Sequence, residues 1–179
     1  TDYRQYLGGG TTTEPVPLTS DGLRTTFGAG LSAIKSISDD IVYHPARYKV
    51  LFGSKADNKL QATFKIVKNP NRTVNDNDIK VRVIAAINTF FDINNWDFGD
   101  RFYMSELTTY ILNSLSPDLS NIVIVPKQAG QVFGSLFEIQ SRADEILVNG
   151  ATVDDVMVVT AITASEIGAT IDSIVTTTY

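Results

Sequence analysis

The stretch FFDINNWDFGDRF, residues 90–102, holds the side chains best suited to chemistry. It includes three aspartates and the only tryptophan of the 179-residue chain. Asp97 and Asp100 could form a pair of carboxylates that exchange protons with a substrate, as in glycoside cleavage. Trp96 and Tyr103 could supply aromatic surfaces for a sugar ring. One hypothesis is therefore a polysaccharide-binding or polysaccharide-cleaving site built on Trp96, Asp97 and Asp100.

A calcium loop is a second possibility for the same aspartates. Such a loop needs oxygen ligands at alternate positions, a glycine at the sixth position and an acid at the twelfth. Counted from Asp92, those two positions hold Asp97 and Tyr103. The spacing therefore excludes this kind of calcium site.

A packed corner between two helices is the third interpretation, and we favour it. Gly99 suits a turn whose backbone angle other residues rarely adopt. Aspartates at such a turn cap helix ends and stay in solvent. The aromatic side chains expected to fill the corner are Phe90, Phe91, Trp96 and Phe98.

The sequence has few of the residues that other catalytic and metal-binding sites require. Because the chain has no cysteine and one histidine, we expect no zinc site and no thiol nucleophile. His44 precedes Pro45 and is expected to be a turn residue rather than a general base. The glycines at 8–10 are not followed by the Lys-Ser/Thr of a phosphate loop. We therefore expect no catalytic residue, no cofactor and no small-molecule substrate.

The distribution of charge points to protein partners. The net charge of −5 argues against nucleic acid, which binds clustered Lys and Arg. Between Arg47 and Arg82 there are nine basic and three acidic residues, whereas the other positions carry six basic and seventeen acidic residues. Oppositely charged surfaces orient association. One explanation of the asymmetry is a chain that binds copies of itself or a complementary neighbour. The other is that Lys65 and Lys68 lie on the solvent-exposed face of a half-buried strand.

Two helices are indicated by the spacing of apolar residues. Asn75 or Asp76 caps the first helix, and Ser105 is expected to cap the second, which ends before Pro117. The buried stripe of the first helix comprises Ile79, Val83, Ile84, Ile87, Phe90 and Phe91, and that of the second comprises Leu107, Ile111 and Leu115.

Short apolar and β-branched runs surround these helices. RYKVLFGS and LQATFKIVK, separated by KADNK, predict a β-hairpin. NIVIV predicts a strand covered on both faces, and SLFEIQ, DEILVNG and DVMVVTAI predict three more strands. The order strand, strand, helix, helix, strand, then further strands predicts an α+β fold with two helices on a small mixed sheet.

The two ends of the chain differ from this middle part. We expect residues 1–46, rich in Gly and Thr, to form an extended arm, with a short helix from Leu31 to Ile37. Residues 47–160 form the α+β assembly domain. Residues 161–179 form a docking tail, whose interface residues are predicted to be Ile167, Ile171 and Ile174.

No apolar run reaches the roughly 18 residues of a membrane span, so we expect no membrane partner. The chain begins at Thr1 without a basic and apolar leader. We therefore expect it to be a piece of a longer protein.

The run IAAINTFFDINNWDFGDRFYMSELTTYILNSLSPDLSNIVIVP resembles the module of baseplate J-like proteins from contractile-tailed phages. The matching features are the first helix, the corner with Trp96, Phe98 and Gly99, the helix opened by Ser105, and the apolar strand at 122–125. The resemblance is strongest over residues 75–160. With its Gly/Thr-rich arm and its DEILVNGATVDDVMVV ending, the whole chain is most similar to the C-terminal part of baseplate wedge proteins of T-even bacteriophages.

This resemblance implies a structural protein without catalytic residues. It implies a homodimer that also joins other wedge subunits and closes a ring around the tail hub. The chain would then be located in the virion, after assembly in the host cytoplasm.

Overall fold

A computed structural model describes residues 2–31, 45–128, 132–134 and 137–163 of the chain. The fold is α+β, as the order of apolar patterns predicts. The helices are α1 (Asp2–Leu7), α2 (Ser20–Leu31), α3 (Asp76–Phe90) and α4 (Met104–Leu115). The strands are β1 (Arg47–Leu51), β2 (Ala62–Lys68), β3 (Arg101–Tyr103), β4 (Leu119–Pro126), β5 (Glu138–Gln140), β6 (Glu145–Asn149) and β7 (Val156–Val159).

The strands pair mostly with partners far away in sequence. In the central sheet the order is β4-β2-β7, with β2 antiparallel to β4 and parallel to β7. β1 pairs in parallel with β6, and the short β3 pairs antiparallel with β5. The sheet is therefore mixed, as predicted.

α3 and α4 pack against each other and cover the strands, α3 against β7 and α4 against β4. Their predicted inner faces are confirmed in large part, because Ile79, Val83 and Ile87 of α3 are fully buried. Ile84 and Phe90 are only half-buried and lie at the edge of the core. In α4 the buried residues include Leu107, Ile111 and Leu115.

The prediction that the first two strands form a hairpin is wrong. β1 and β2 share one isolated bridge, between Phe52 and Gln61, and that bridge is parallel. Phe52 has a φ of 73°, and the backbone of Gly53 lies so close to Gly150 that a Cβ on Gly53 would be 1.7 Å from the Gly150 carbonyl oxygen. After β1 the backbone therefore packs against the end of β6, and β1 pairs with β6 instead of forming a hairpin with β2.

Two further details differ from the prediction. α4 is capped by Tyr103, whose N–H donates to the Glu106 carboxylate at 3.1 Å, so its cap lies two residues before Ser105. β4 buries Ile122 and Val125, but Val123 and Ile124 are only half-buried, so this strand is less completely covered than its composition suggests.

The N-terminal arm is not extended throughout. It contains α1 and α2, joined by residues 8–19 without regular structure. The helix expected from Leu31 to Ile37 falls outside the described residues, except for Leu31, which ends α2. His44 and the tail residues Ile167, Ile171 and Ile174 also lie outside the described part of the chain.

Candidate assembly interface

The corner at residues 90–102 is filled by a cluster of aromatic rings, as predicted. Phe102 lies at its centre with no exposed surface. Its ring is 5.0 Å from that of Phe91, 5.9 Å from that of Trp96 and 6.3 Å from those of Phe52 and Phe90. Most of these contacts are edge-to-face, a favourable arrangement for aromatic pairs. The cluster joins the end of α3 to β3 and the core.

Trp96 belongs to this cluster and is half-buried. Its indole N–H donates to the Phe90 carbonyl at 2.6 Å, and its ring stacks on Phe91 with the centroids 5.6 Å apart. The hydrogen-bond donor and one ring face are therefore used within the chain. The ring is therefore packed into the corner, which leaves less surface for stacking against a sugar than the polysaccharide hypothesis expects.

Asp97 and Asp100 shape the turn that follows. The Asp100 carboxylate accepts from the Asp97 backbone N–H at 2.8 Å, and Gly99 has a φ of 81°. The Asp100 carbonyl accepts from both the N–H and the hydroxyl of Ser141, at 2.8 and 2.9 Å. The Asp100 carboxylate thus caps the turn, as expected for an aspartate here, and its backbone carbonyl connects the turn to the segment before β6.

Asp92 ends α3 in a similar way. Its carboxylate accepts from the backbone N–H of Asn94 at 3.0 Å and from the Asn94 amide at 2.8 Å. The backbone hydrogen bond from Asn94 is the main reason that the pKa of Asp92 is below its ordinary value. Asp92 therefore remains charged and contributes a negative group at this end of the helix.

Phe98 does not fill the corner, contrary to the prediction. Its side chain is 52% exposed, and it lines a surface cleft with Pro45, Ala46, Ala143 and Asp144. Phe102 takes the inner position because alternation along β3 directs it toward the core and Arg101 and Tyr103 outward. The sequence signal for this was the short alternating run RFY.

Several basic residues of the segment from Arg47 to Arg82 form ion pairs with acids elsewhere in the chain. Arg82 and Arg72 both contact Asp118, at 2.8 and 3.3 Å. Arg47 contacts Asp144 at 3.5 Å, and so the segment is paired with the acidic parts of the sequence. Part of the charge asymmetry of the sequence is therefore used in attraction within the fold.

α2 presents the least buried apolar surface of the described helices. None of its residues is buried, and Leu23, Phe27 and Leu31 recur at every fourth position, so they share one side. Phe27 is 51% exposed. Leu18, just before the helix, is 50% exposed. The signal that predicts this helix is Thr19, whose hydroxyl accepts from the Gly22 N–H at 3.2 Å, followed by Asp21 in the first turn.

α1, in contrast, docks on the body of the chain, residues 47–160. The Tyr3 ring stacks on that of Tyr48 with the centroids 4.3 Å apart. Lys55 Nζ lies 3.5 Å from the centre of the Tyr6 ring and donates to the Tyr6 carbonyl. We name the residues that receive α1 the acceptor: Tyr48, Lys55, Asp92 and Gly150.

Among the described residues, no three acidic or histidine side chains lie close enough to hold a metal ion. None of the described helices is long and apolar enough to cross a membrane. No protein-family model matches the chain, and no curated protein matches it significantly.

Proposed function

We propose that this chain is a structural subunit of a contractile phage tail baseplate. In this proposal it pairs with a second copy, joins other wedge subunits and contributes to a ring around the tail hub. The resemblance to baseplate J-like proteins supports the assignment. The corner supports it too, because its tryptophan and aspartates hold the chain together rather than form an open site.

The observation that carries the proposal is the exposed side of α2. A helix of 12 residues is only marginally stable in water when nothing packs on it. The three glycines in SDGLRTTFGAGL lower its intrinsic stability further. An exposed Phe27 between two half-buried leucines, Leu23 and Leu31, is typical of a helix that another molecule stabilises.

The residues before α2 extend this apolar surface. Val16 is 86% exposed and Leu18 is 50% exposed, in a stretch without regular structure. Exposed apolar residues that are contiguous mark interaction sites more often than scattered ones. We propose that Val16, Leu18 and the Leu23–Phe27–Leu31 stripe form one contact surface for a second copy.

A pair of identical copies is the arrangement that we propose for this surface. Two-fold pairing is the commonest closed arrangement of identical chains, and it lets the same stripe serve on both copies. The tail residues Ile167, Ile171 and Ile174 are proposed to add to this interface.

Light scattering of the whole chain tests the pairing. We expect about twice the chain mass at micromolar concentration. Leu23→Ser together with Phe27→Ser should raise the dimer dissociation constant about 10⁴-fold, since the two copies together lose four apolar side chains that each contribute roughly 1.5 kcal/mol when buried. Thr25→Ser, two positions from Leu23 and Phe27 and therefore off their stripe, is the matched control and should dimerise like the parent. A parent chain that stays monomeric at the highest attainable concentration would refute the pairing.

The baseplate assignment has its own test. Antibodies against this chain should label the baseplate end of contractile tails in particles of the parent phage. Labelling along the tail sheath or at the head instead would contradict the assignment while leaving the pairing intact.

A further inference from the structure

α1 is held on the body by side-chain contacts, without strand pairing. Besides the Tyr3–Tyr48 stack and the Lys55–Tyr6 contact, Arg4 lies 3.6 Å from the Asp92 carboxylate. A Cβ on Gly150 would lie 3.7 Å from a methyl group of Leu7, an ordinary van der Waals distance, so Leu7 lies beside the chain at this position. α1 and the acceptor are therefore complementary in shape.

They are also complementary in charge. Lys55 donates to the Tyr6 carbonyl near the end of α1, where a helix carries partial negative charge. Arg4 of α1 faces the carboxylate of Asp92, whose lowered pKa keeps it charged. Each partner thus supplies one cation to the other, which fixes the orientation in which α1 docks.

The connection between α1 and the body, residues 8–46, is long. It begins with Gly8-Gly9-Gly10, and Gly9 has a φ of 78°, which residues with a side chain rarely adopt. Its maximum reach is roughly 100 Å or more, even with α2 helical along part of it. Attachment through so long a connection raises the local concentration of α1 at its own acceptor only modestly, because that concentration falls steeply with linker length.

We propose that, in the paired protein, α1 of each copy docks in the acceptor of the other copy. This inference rests on the proposed function in one respect, the pairing of two copies through α2. When α2 lies on the second copy, the long connection leaves the acceptor of that copy, as well as the chain's own acceptor, within reach of α1. Exchange of an identical element requires no new contact chemistry and is a known route to dimers.

The absence of cysteine from the sequence allows a direct test. Gln5 and Ser54 are both exposed, and they are the sequence neighbours of the contacting residues Tyr6 and Lys55. The variant Gln5→Cys/Ser54→Cys therefore leaves the docking contacts in place. We would treat it with a short bis-maleimide at a concentration at which light scattering shows dimers, and then separate the products under denaturing conditions.

Exchange predicts that most of the cross-linked product runs at twice the chain mass. An equimolar mixture of the two single variants should also give a peptide that links position 5 of one chain to position 54 of the other. Gln5→Cys mixed with Ser105→Cys is the control, because Ser105 lies on α4, outside the acceptor. That mixture should give little linked product.

Cross-linked product that runs at the mass of one chain, from a sample that scatters as a dimer, would overturn the exchange and leave the pairing untouched. A sample that scatters as a monomer would refute the proposed pairing itself, and the exchange with it. The two failures are therefore distinguishable in one experiment.

Discussion

The body and the arm of this chain treat their apolar residues in opposite ways. In the body, β2 and α3 each bury one face, and Phe64, Ile66, Ile79 and Val83 have no exposed surface. In the arm, α2 has an apolar stripe of similar spacing, but none of its residues is fully buried and Phe27 is 51% exposed. An element buries its apolar face only when a second layer lies against it. The elements of the body therefore bury their apolar faces against one another, whereas the described contacts leave the face of α2 partly exposed.

The largest expected effect comes from removing one phenylalanine from each region. Phe102→Ala in the body should lower the free energy of unfolding by about 3–5 kcal/mol, because it leaves a cavity among four other aromatic rings. Phe27→Ala in α2 should change the stability of the dilute monomer by less than about 0.5 kcal/mol. Urea denaturation of both variants decides this. Similar losses for the two would break the contrast between body and arm.

Two glycines provide the next comparison. Gly53→Ala should destabilise by about 1–3 kcal/mol, because the new methyl group collides with the carbonyl of Gly150 and the two backbone segments must separate. Gly30→Ala in α2 meets no atom within 4 Å and should favour the helix by about 0.5–1 kcal/mol. Urea denaturation measures the first effect and far-ultraviolet circular dichroism the second. A harmless Gly53→Ala would contradict the close approach at this point.

Acid should weaken the body through Asp118. The hydrogen bond from Arg82, aided by Arg72, lowers the pKa of Asp118 below its ordinary value. A carboxylate with a lowered pKa stabilises the fold fully above its unfolded-state pKa, and this contribution is lost as the pH falls through the folded pKa. Asp118→Asn should therefore melt at a lower temperature than the parent at neutral pH, and the difference should shrink in acid. Melting curves across this pH range, with Asp97→Asn as the control, measure the effect.

High pH should weaken the docking of α1 on the body, and this is the smallest of the four predicted effects. Burial, followed by the charge of Glu14, raises the pKa of Tyr3 to about 12. Because the neutral phenol is the docked form, the stabilisation is complete below the ordinary tyrosine pKa of about 10 and is lost as the pH rises toward 12. In Tyr3→Phe, which keeps the ring, docking of α1 should weaken less than in the parent over this range. Cross-linking between positions 5 and 54 at increasing pH reports the docking, and equal losses in the parent and in Tyr3→Phe would count against the assignment to this phenol.

Elements whose signal is contained in a few neighbouring residues were predictable. The side chain of Asn75 caps α3 by accepting from the Asn77 N–H at 2.8 Å, and the inner stripe of α4 follows from its spacing alone. The role of Asp100 in the turn followed from residue types around Gly99. In each case the physical cause, a cap, a period or a turn, acts within one element.

Features that depend on distant residues were not predictable in this way. KADNK has the composition of a hairpin turn, yet the partner of β1 is β6, about a hundred residues away. Phe98 and Phe102 have the same side chain, and the pairing of β3 with β5 makes RFY a strand whose alternation turns Phe102 to the core. Sequence analysis missed α2 because its three glycines have low helix propensity. The cap at Thr19 and the spacing of Leu23, Phe27 and Leu31 are the local signals that favour this helix.

The parallel pairing of β1 with β6 and of β2 with β7 also bears on how the chain reaches its fold. The register joins Arg47 to Glu145 and Phe64 to Val156, so β1 and β2 pair with strands that are synthesised about a hundred residues later. Contacts between residues so far apart slow folding, since a large loop must close before they form. During translation, β2 acquires β4 early but stays unpaired on its other edge until β7 leaves the ribosome. We therefore expect folding to be a late and cooperative event, and truncation before residue 156 to yield an aggregation-prone chain rather than a smaller stable domain.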